Sequence, residues 1–173
     1  MAILKKIIHI LSTISYILIL VYGIVCIPIL FKYHPLVVLS GSMEPTYPVG
    51  SIIYYKEVPQ SELKAGDAVT FLTKDNQYVS HRIVSINGDE VSTKGDANNT
   101  VDANTVKLSD IKGKIQRVYI PYLGYYVRFV NENLIIVVTS IVLILVSEFL
   151  FSNTGTFDIN KKKGRSENDG RKE

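Results

Sequence analysis

The chain has 173 residues, a formal net charge of +3 and 47% hydrophobic residues, with a mean hydropathy of +0.19. That is apolar for one small soluble domain, and the small positive charge falls mainly in the tails. No basic stripe with interleaved aromatics is present, which argues against a nucleic-acid partner. The single cysteine, Cys26, lies inside an apolar run. It allows no internal disulfide and no Cys-rich metal site, and a thiol in hydrocarbon is a packing group rather than a nucleophile. Neither a metal nor a cofactor is expected.

The first element is the apolar stretch from Ile7 to Phe31. Crossing a bilayer needs about 20 residues, and this run is long enough. Lys5 and Lys6 precede it in the manner of a signal peptide, but no small-x-small cleavage site follows. A retained anchor is therefore expected. Between this anchor and the next apolar run the sequence reads as strands. Leu36–Leu39, Ser51–Lys56 and Ala68–Leu72 are short β-type runs, the last two bounded by Gly or Pro. Tyr78–Ile86 alternates with β-branched residues and ends at Asn87-Gly88, a strong hairpin signal. Glu90–Lys94 is the returning strand, and Ile115–Ile120 is a last strand stopped by Pro121.

Leu134–Phe151 is a second apolar run, preceded by Tyr125, Tyr126 and Phe129 as an aromatic belt would be. Lysines flank both runs on their outer sides: Lys5 and Lys6 at one end, Lys161, Lys162 and Lys163 with Arg165 at the other. The positive-inside rule then puts both termini in the cytoplasm and exports the middle. The expected division is 1–32 for the cytoplasmic end and anchor, and 33–133 for an exported β-rich domain. A second transmembrane helix follows over 134–152, then a basic cytoplasmic tail of disordered composition over 153–173. The fold class is mainly β: a small all-β domain on an N-terminal transmembrane helix, with a second transmembrane helix at the C-terminal side.

Three polar elements stand out in the β region. Ser40-Gly41-Ser42-Met43-Glu44-Pro45 follows a short apolar strand, so Ser42 sits in a backbone-constrained, exposed turn. A serine hydroxyl needs a positioned base to become a nucleophile. Of the three histidines, His9 lies in the first span and His34 just beyond it, which leaves His81 for that task. Arg82 beside it is a cation that would help to keep the imidazole neutral. The third element is the acidic loop after Lys94. With Asn87-Gly88 as a two-residue turn, Ile86 pairs with Asp89 and His81 falls opposite Lys94; a slightly longer loop brings His81 near Asp96. Asp96 and Asp102 are both able to hold the imidazole tautomer and stabilise the imidazolium, and hairpin arithmetic does not choose between them.

Ser40-Gly41-Ser42-Met43-Glu44-Pro45, then Val79-Ser80-His81-Arg82-Ile83, then Thr93-Lys94-Gly95-Asp96 with Asp102 further on, resembles the type I signal peptidases. It is similar to their endoplasmic-reticulum type, which also occurs in some bacteria and archaea. The likeness runs from about Val37 to Tyr125 and includes Pro121-Tyr122-Leu123-Gly124. His81 stands where the other branch of the family has a lysine, so the resemblance implies a Ser-His enzyme. It implies Ser42 as nucleophile, His81 as general base, Asp102 as third catalytic residue and Asp96 as a supporting acid. It also implies an oxyanion hole from the Ser42 N–H and the Ser40 hydroxyl, with Met43 near a membrane-facing substrate cleft.

The implied partners are preproteins with signal peptides and the lipid bilayer, with accessory membrane subunits left open. A protease for a narrow set of exported precursors would carry the same active site. A non-catalytic membrane-tethered β module would have no reason to keep all three polar elements. A self-cleaving repressor would need a lysine base and a DNA-binding domain. Asn98-Asn99-Thr100 is a glycosylation sequon beside the acidic residues, and a glycan there would crowd the site. That favours a prokaryotic plasma membrane over an endoplasmic reticulum membrane.

Overall fold

The computed structural model describes residues 2–150. The expected basic tail over 153–173, and the end of the second apolar run, lie outside the described residues. The chain divides into two compact units, one formed by the segment up to Val21 with the segment from Asn133, the other by Tyr22–Glu132.

The first helix, α1 (Ala2–Cys26), continues into a 3₁₀ turn, Ile27–Phe31. Together they give an apolar stretch over Ile3–Phe31 that is long enough to cross a membrane. Leu20, Ile24, Leu30 and Phe31 are all exposed on it, and such an exposed apolar surface is compatible with membrane anchoring. A second apolar helix, α3, covers Leu134–Leu150. Within the helical unit, His9 Nδ1 lies 3.1 Å from Glu148 Oε1, joining α1 to α3.

The second unit is built on one antiparallel sheet. Its strands are β1 (Tyr33–Val37), β2 (Ile52–Lys56), β3 (Ala68–Leu72), β4 (Tyr78–Asn87), β5 (Glu90–Lys94), β6 (Val106–Lys107) and β7 (Ile111–Ile120). The order across the sheet is β1-β2-β7-β3-β4-β5-β6. Pro35 is accommodated because β1 is an edge strand, where a missing N–H leaves no gap in the ladder. Period-two alternation sends Ile53 and Tyr55 of β2 into one apolar cluster with Met43, Tyr47 and Ile115. Ile52 and Tyr54 enter another, with Val25 and Val127. Both faces of β2 are thus covered, which is why it reads as a continuous apolar run rather than an alternating one. A third cluster, centred on Val69, Phe71, Ile83 and Val91, fills the β3–β4–β5 end.

A short helix, α2 (Leu123–Glu132), closes the unit, with Gly124, Val127 and Val130 buried at helical spacing. The aromatic belt read from Tyr125, Tyr126 and Phe129 therefore falls on this amphipathic helix. Its Val127 shares a cluster with Val25 of α1. The Tyr22 hydroxyl donates to Asn131 Oδ1 at 3.0 Å, and the Tyr54 hydroxyl donates to the Val25 carbonyl, also at 3.0 Å.

β3 and β5 match the runs read from the sequence, β1 and β7 begin three and four residues earlier than expected, β6 was not expected, and the hairpin register differs by one residue. Asn87 pairs with Glu90 and Ile86 with Val91, so the turn is Gly88-Asp89 rather than Asn87-Gly88. Gly88 has φ of 61°, the left-handed backbone that a type II′ hairpin turn requires of its first central residue. A bulge between Ile83 and Ser85 then leaves Arg82, not His81, opposite Lys94.

Candidate active site

Ser42 lies in a 3₁₀ turn, Gly41–Met43, reached from the end of β1 and closed by the Glu44 N–H on the Gly41 carbonyl at 3.0 Å. Such a turn leaves its first N–H groups without partners inside the helix, the Ser42 N–H among them. Met43 next to it is buried, at 2% exposure, in the β2 cluster. Its side chain therefore anchors the turn as well as lining the groove in front of Ser42. Ser40 Oγ stands 3.4 Å from Ser42 Oγ.

His81 projects from β4 at the point where pairing with β5 stops. Its ring packs edge-on against Phe71, at 6.3 Å between centroids. Nε2 lies 3.2 Å from Ser42 Oγ, and Nδ1 lies 2.6 Å from Asp102 Oδ2. The imidazole is 12% exposed and the carboxylate 23%, so water screens the pair little. The same Asp102 oxygen accepts the Thr93 hydroxyl at 2.7 Å. The Asp102 N–H donates to the Thr93 carbonyl at 2.8 Å, and the loop end is held by β5 at two points.

Asp96 has a different partner. Its two oxygens accept Arg82 Nε at 2.8 Å and Arg82 Nη2 at 2.6 Å, a bidentate fork in which each bond is charge-assisted. The Thr46 hydroxyl adds a third bond at 2.6 Å. The Arg82 guanidinium, with help from Thr46, holds the Asp96 carboxyl below the usual carboxylate range; burial opposes this only in part. Arg82, read from the sequence as a cation beside His81, is bonded to Asp96 and to the Gly66 carbonyl at 2.8 Å. Successive strand residues point to opposite faces, so His81 and Arg82 address different carboxylates.

The loop also touches the turn that carries Ser42. The Ala97 N–H donates to the Ser42 carbonyl at 2.9 Å. Gly95 lies so close that a Cβ added there would meet that carbonyl oxygen at 2.5 Å, inside any real contact distance. Sequence reasoning assigned Thr93 no role beyond its motif and did not mark Thr46 or this close approach at Gly95. Hydroxyls and glycines in polar loops carry no signal of what they touch.

A groove of about 960 Å³ opens in front of Ser42 and His81. The end of β1 and the start of β4 both border it, although three strands separate them in the sheet order. The sheet therefore curls around it. β1 is the edge strand, and Tyr78–His81 of β4 lie beyond the stretch paired with β5. Asn98, the first residue of the sequon, lines the groove beside the catalytic candidates.

A hydroxyl, an imidazole and a carboxylate in hydrogen-bonded sequence on a curled antiparallel sheet are the arrangement of an acyl-transfer hydrolase. Residues 10–122 match the family described as signal peptidase, peptidase S26. The chain belongs to that family and is a hydrolase of the signal peptidase kind. Signal peptidase I W of Bacillus subtilis (strain 168) is 37% identical over 131 residues, 68% of this chain and 69% of that protein. The signal peptidase complex catalytic subunit SEC11C of Homo sapiens is 32% identical over 110 residues, 56% of each chain. The catalytic subunit SEC11 of Lachancea thermotolerans is 35% identical over 113 residues, 56% of this chain and 66% of that protein. The chain thus spans little more than half the length of the mammalian relative.

Proposed function

We propose that this protein is a membrane-bound serine endopeptidase that removes N-terminal signal peptides from exported preproteins. The observation that carries the reading is the hydrogen-bonded line from Ser42 through His81 to Asp102 at the head of an open groove. With its proton on Nδ1, shared with Asp102, His81 offers Nε2 to the Ser42 hydroxyl. As Ser42 Oγ attacks the scissile carbonyl, Nε2 takes the hydroxyl proton, and Asp102 stabilises the imidazolium that forms. The same proton then passes to the leaving amine, and a water activated by Nε2 hydrolyses the acyl-enzyme. The Ser42 N–H and the Ser40 hydroxyl are the proposed donors to the oxyanion, where charge develops in the transition state. Asp96 acts at one remove, by fixing Arg82 of β4 and Thr46 of the nucleophile segment to one point.

An extended peptide suits the groove, because two strand edges border it and can pair with a guest backbone. Anchoring by α1 keeps Ser42 near the membrane surface, where the apolar part of a signal peptide ends. The flanking lysines put both termini in the cytoplasm, 33–133 outside and α3 as a second span. Asn98 on the groove favours a membrane of a prokaryote that does not glycosylate sequons.

The test is to incubate the purified full chain in detergent with several preproteins, beside Ser42→Ala and His81→Ala. Both substitutions are expected to abolish processing, with melting temperatures close to that of the parent chain. Parent-like cleavage by either variant rules out the mechanism.

A further inference from the structure

Glu148 is the one charged residue of α3, and it lies in the last turn of that helix. An ionised side chain in a membrane-spanning helix is costly, and it is retained where it faces a partner or a ligand. Within the helical unit its Oε1 lies 3.1 Å from His9 Nδ1 of α1. Both residues border a cavity of about 480 Å³ between the two helices, a volume within the ~300–1,000 Å³ of small-molecule sites. The chemistry proposed at Ser42 makes no use of it.

The lining of this cavity joins two opposite charges to hydrocarbon. Lys5 and His9 are one helical turn apart on α1 and share a face, Glu148 comes from α3, and Ile8, Leu145 and Phe149 are apolar. Among the described residues Lys5 enters no ion pair, so its ammonium can meet an anion from outside the chain. A carboxylate has about four lone-pair positions, and His9 takes one of those of Glu148. Lys5 stands near the start of the apolar stretch Ile3–Phe31 and Glu148 near the end of α3. With both termini in the cytoplasm, the cavity lies at headgroup depth in the cytoplasmic leaflet.

A cation and an anion side by side at that depth are complementary to a lipid that carries both charges. An anionic headgroup would satisfy Lys5 but be repelled by Glu148. A choline headgroup is zwitterionic, yet its methylated nitrogen has no N–H to donate, whereas a primary ammonium has three.

We infer that the cavity between α1 and α3 binds an aminophospholipid, its phosphate on Lys5, its primary ammonium on Glu148 and an acyl chain along Ile8, Leu145 and Phe149. His9 holds the carboxylate in position. This rests on α1 and α3 lying together in the membrane, as the reading above has it. A lipid bound in this way bridges two helices from opposite ends of the chain.

The experiment uses the delipidated full chain in detergent. Phosphatidylethanolamine, phosphatidylcholine and phosphatidylglycerol with identical acyl chains are offered in turn, and retained lipid is measured by native mass spectrometry. The parent chain is expected to hold phosphatidylethanolamine about tenfold more tightly than either of the others, the worth of one charge-assisted hydrogen bond. Glu148→Leu, a substitution at home in an apolar helix, should bring phosphatidylethanolamine down to the level of phosphatidylcholine. Lys5→Gln should weaken both of these lipids by a similar factor and keep their ratio, because both carry the phosphate; a merely structural role of Lys5 and Glu148 would not separate the two effects. Equal retention of the three lipids by the parent, tightest retention of phosphatidylglycerol, or a preference for phosphatidylethanolamine that survives in Glu148→Leu overturns the site. Release of the parent chain from lipid vesicles by an alkaline wash would instead overturn the membrane reading on which the site rests.

Discussion

The loop that follows β5 has two acidic residues, and its two halves solve different problems. The early half, around Gly95 and Asp96, is a brace. Asp96 ties Arg82 of β4 to Thr46 beyond the nucleophile turn, while Ala97 holds the Ser42 carbonyl. The late half brings Asp102 to the imidazole and pins it through Thr93. The separation begins on β4: adjacent residues His81 and Arg82 leave opposite faces of the strand, and each recruits its own carboxylate. One loop can therefore serve reactivity at one end and rigidity at the other, and substitutions should pull the two apart.

The sharpest test is Asp102→Asn. Shape is kept, but the charge that supports the imidazolium and fixes its tautomer is lost. Turnover should fall by roughly 10²–10⁴-fold, with the melting temperature within about 2 °C of the parent. Full activity of this variant, with a stably folded but inactive Asp96→Asn, would reverse the assignment of the two acids.

Asp96→Asn should show the opposite balance. It leaves the guanidinium of Arg82, about one-third exposed, without its fork. After allowance for solvent screening the loss is about 1–2 kcal/mol, or a fall in melting temperature of roughly 3–6 °C. Turnover should drop by about tenfold through loosening of the nucleophile turn. The pH dependence adds a separate signature. The folded-state pKa of Asp96 is depressed below its ordinary 3.8, so its contribution is complete above that value and is lost as pH falls through the folded pKa. The stability gap between parent and variant, followed by denaturant titration from pH 7 to pH 2, should close only in the acid range. A gap that widens on acidification contradicts the ion pair.

Thr46→Val probes the brace most gently. It removes one hydroxyl bond to Asp96 and keeps the volume. The expected effect is about 1 kcal/mol, two- to threefold in turnover and a few degrees in melting temperature. An effect as large as that of Asp96→Asn would mean that Thr46, rather than Arg82, is the principal partner of the carboxylate.

Much of this arrangement is legible in the sequence, and the exceptions have physical causes. β3 and β5 begin and end where alternation and turn residues put them. Ser42 and His81 stand out because each is a reactive type in a setting that suits it. The hairpin register slipped by one residue because Gly88, not Asn87, takes the left-handed position. β6 is only two residues long, too short for alternation to register. α2 was hidden because its aromatics invite an interfacial reading, while its buried face is carried by Gly124, Val127 and Val130. The choice between Asp96 and Asp102 could not be made from hairpin distance. That measure favours the nearer acid, whereas the ladder's bulge and the return of the loop through Asn98 and Asn99 decide the pairing.

The close approach of Gly95 and Ala97 to the Ser42 carbonyl has a consequence for the order of biosynthesis. Chains are made from the N-terminus, so Ser42 leaves the ribosome well before His81 and before the loop that braces both. Until Asp102 has emerged and the loop has settled on the nucleophile turn, the serine has neither its base in register nor its backbone fixed. On the proposed chemistry, a growing chain is inert toward its own apolar anchor and toward neighbouring nascent chains. Reactivity switches on only when a loop made well after Ser42 has docked against it.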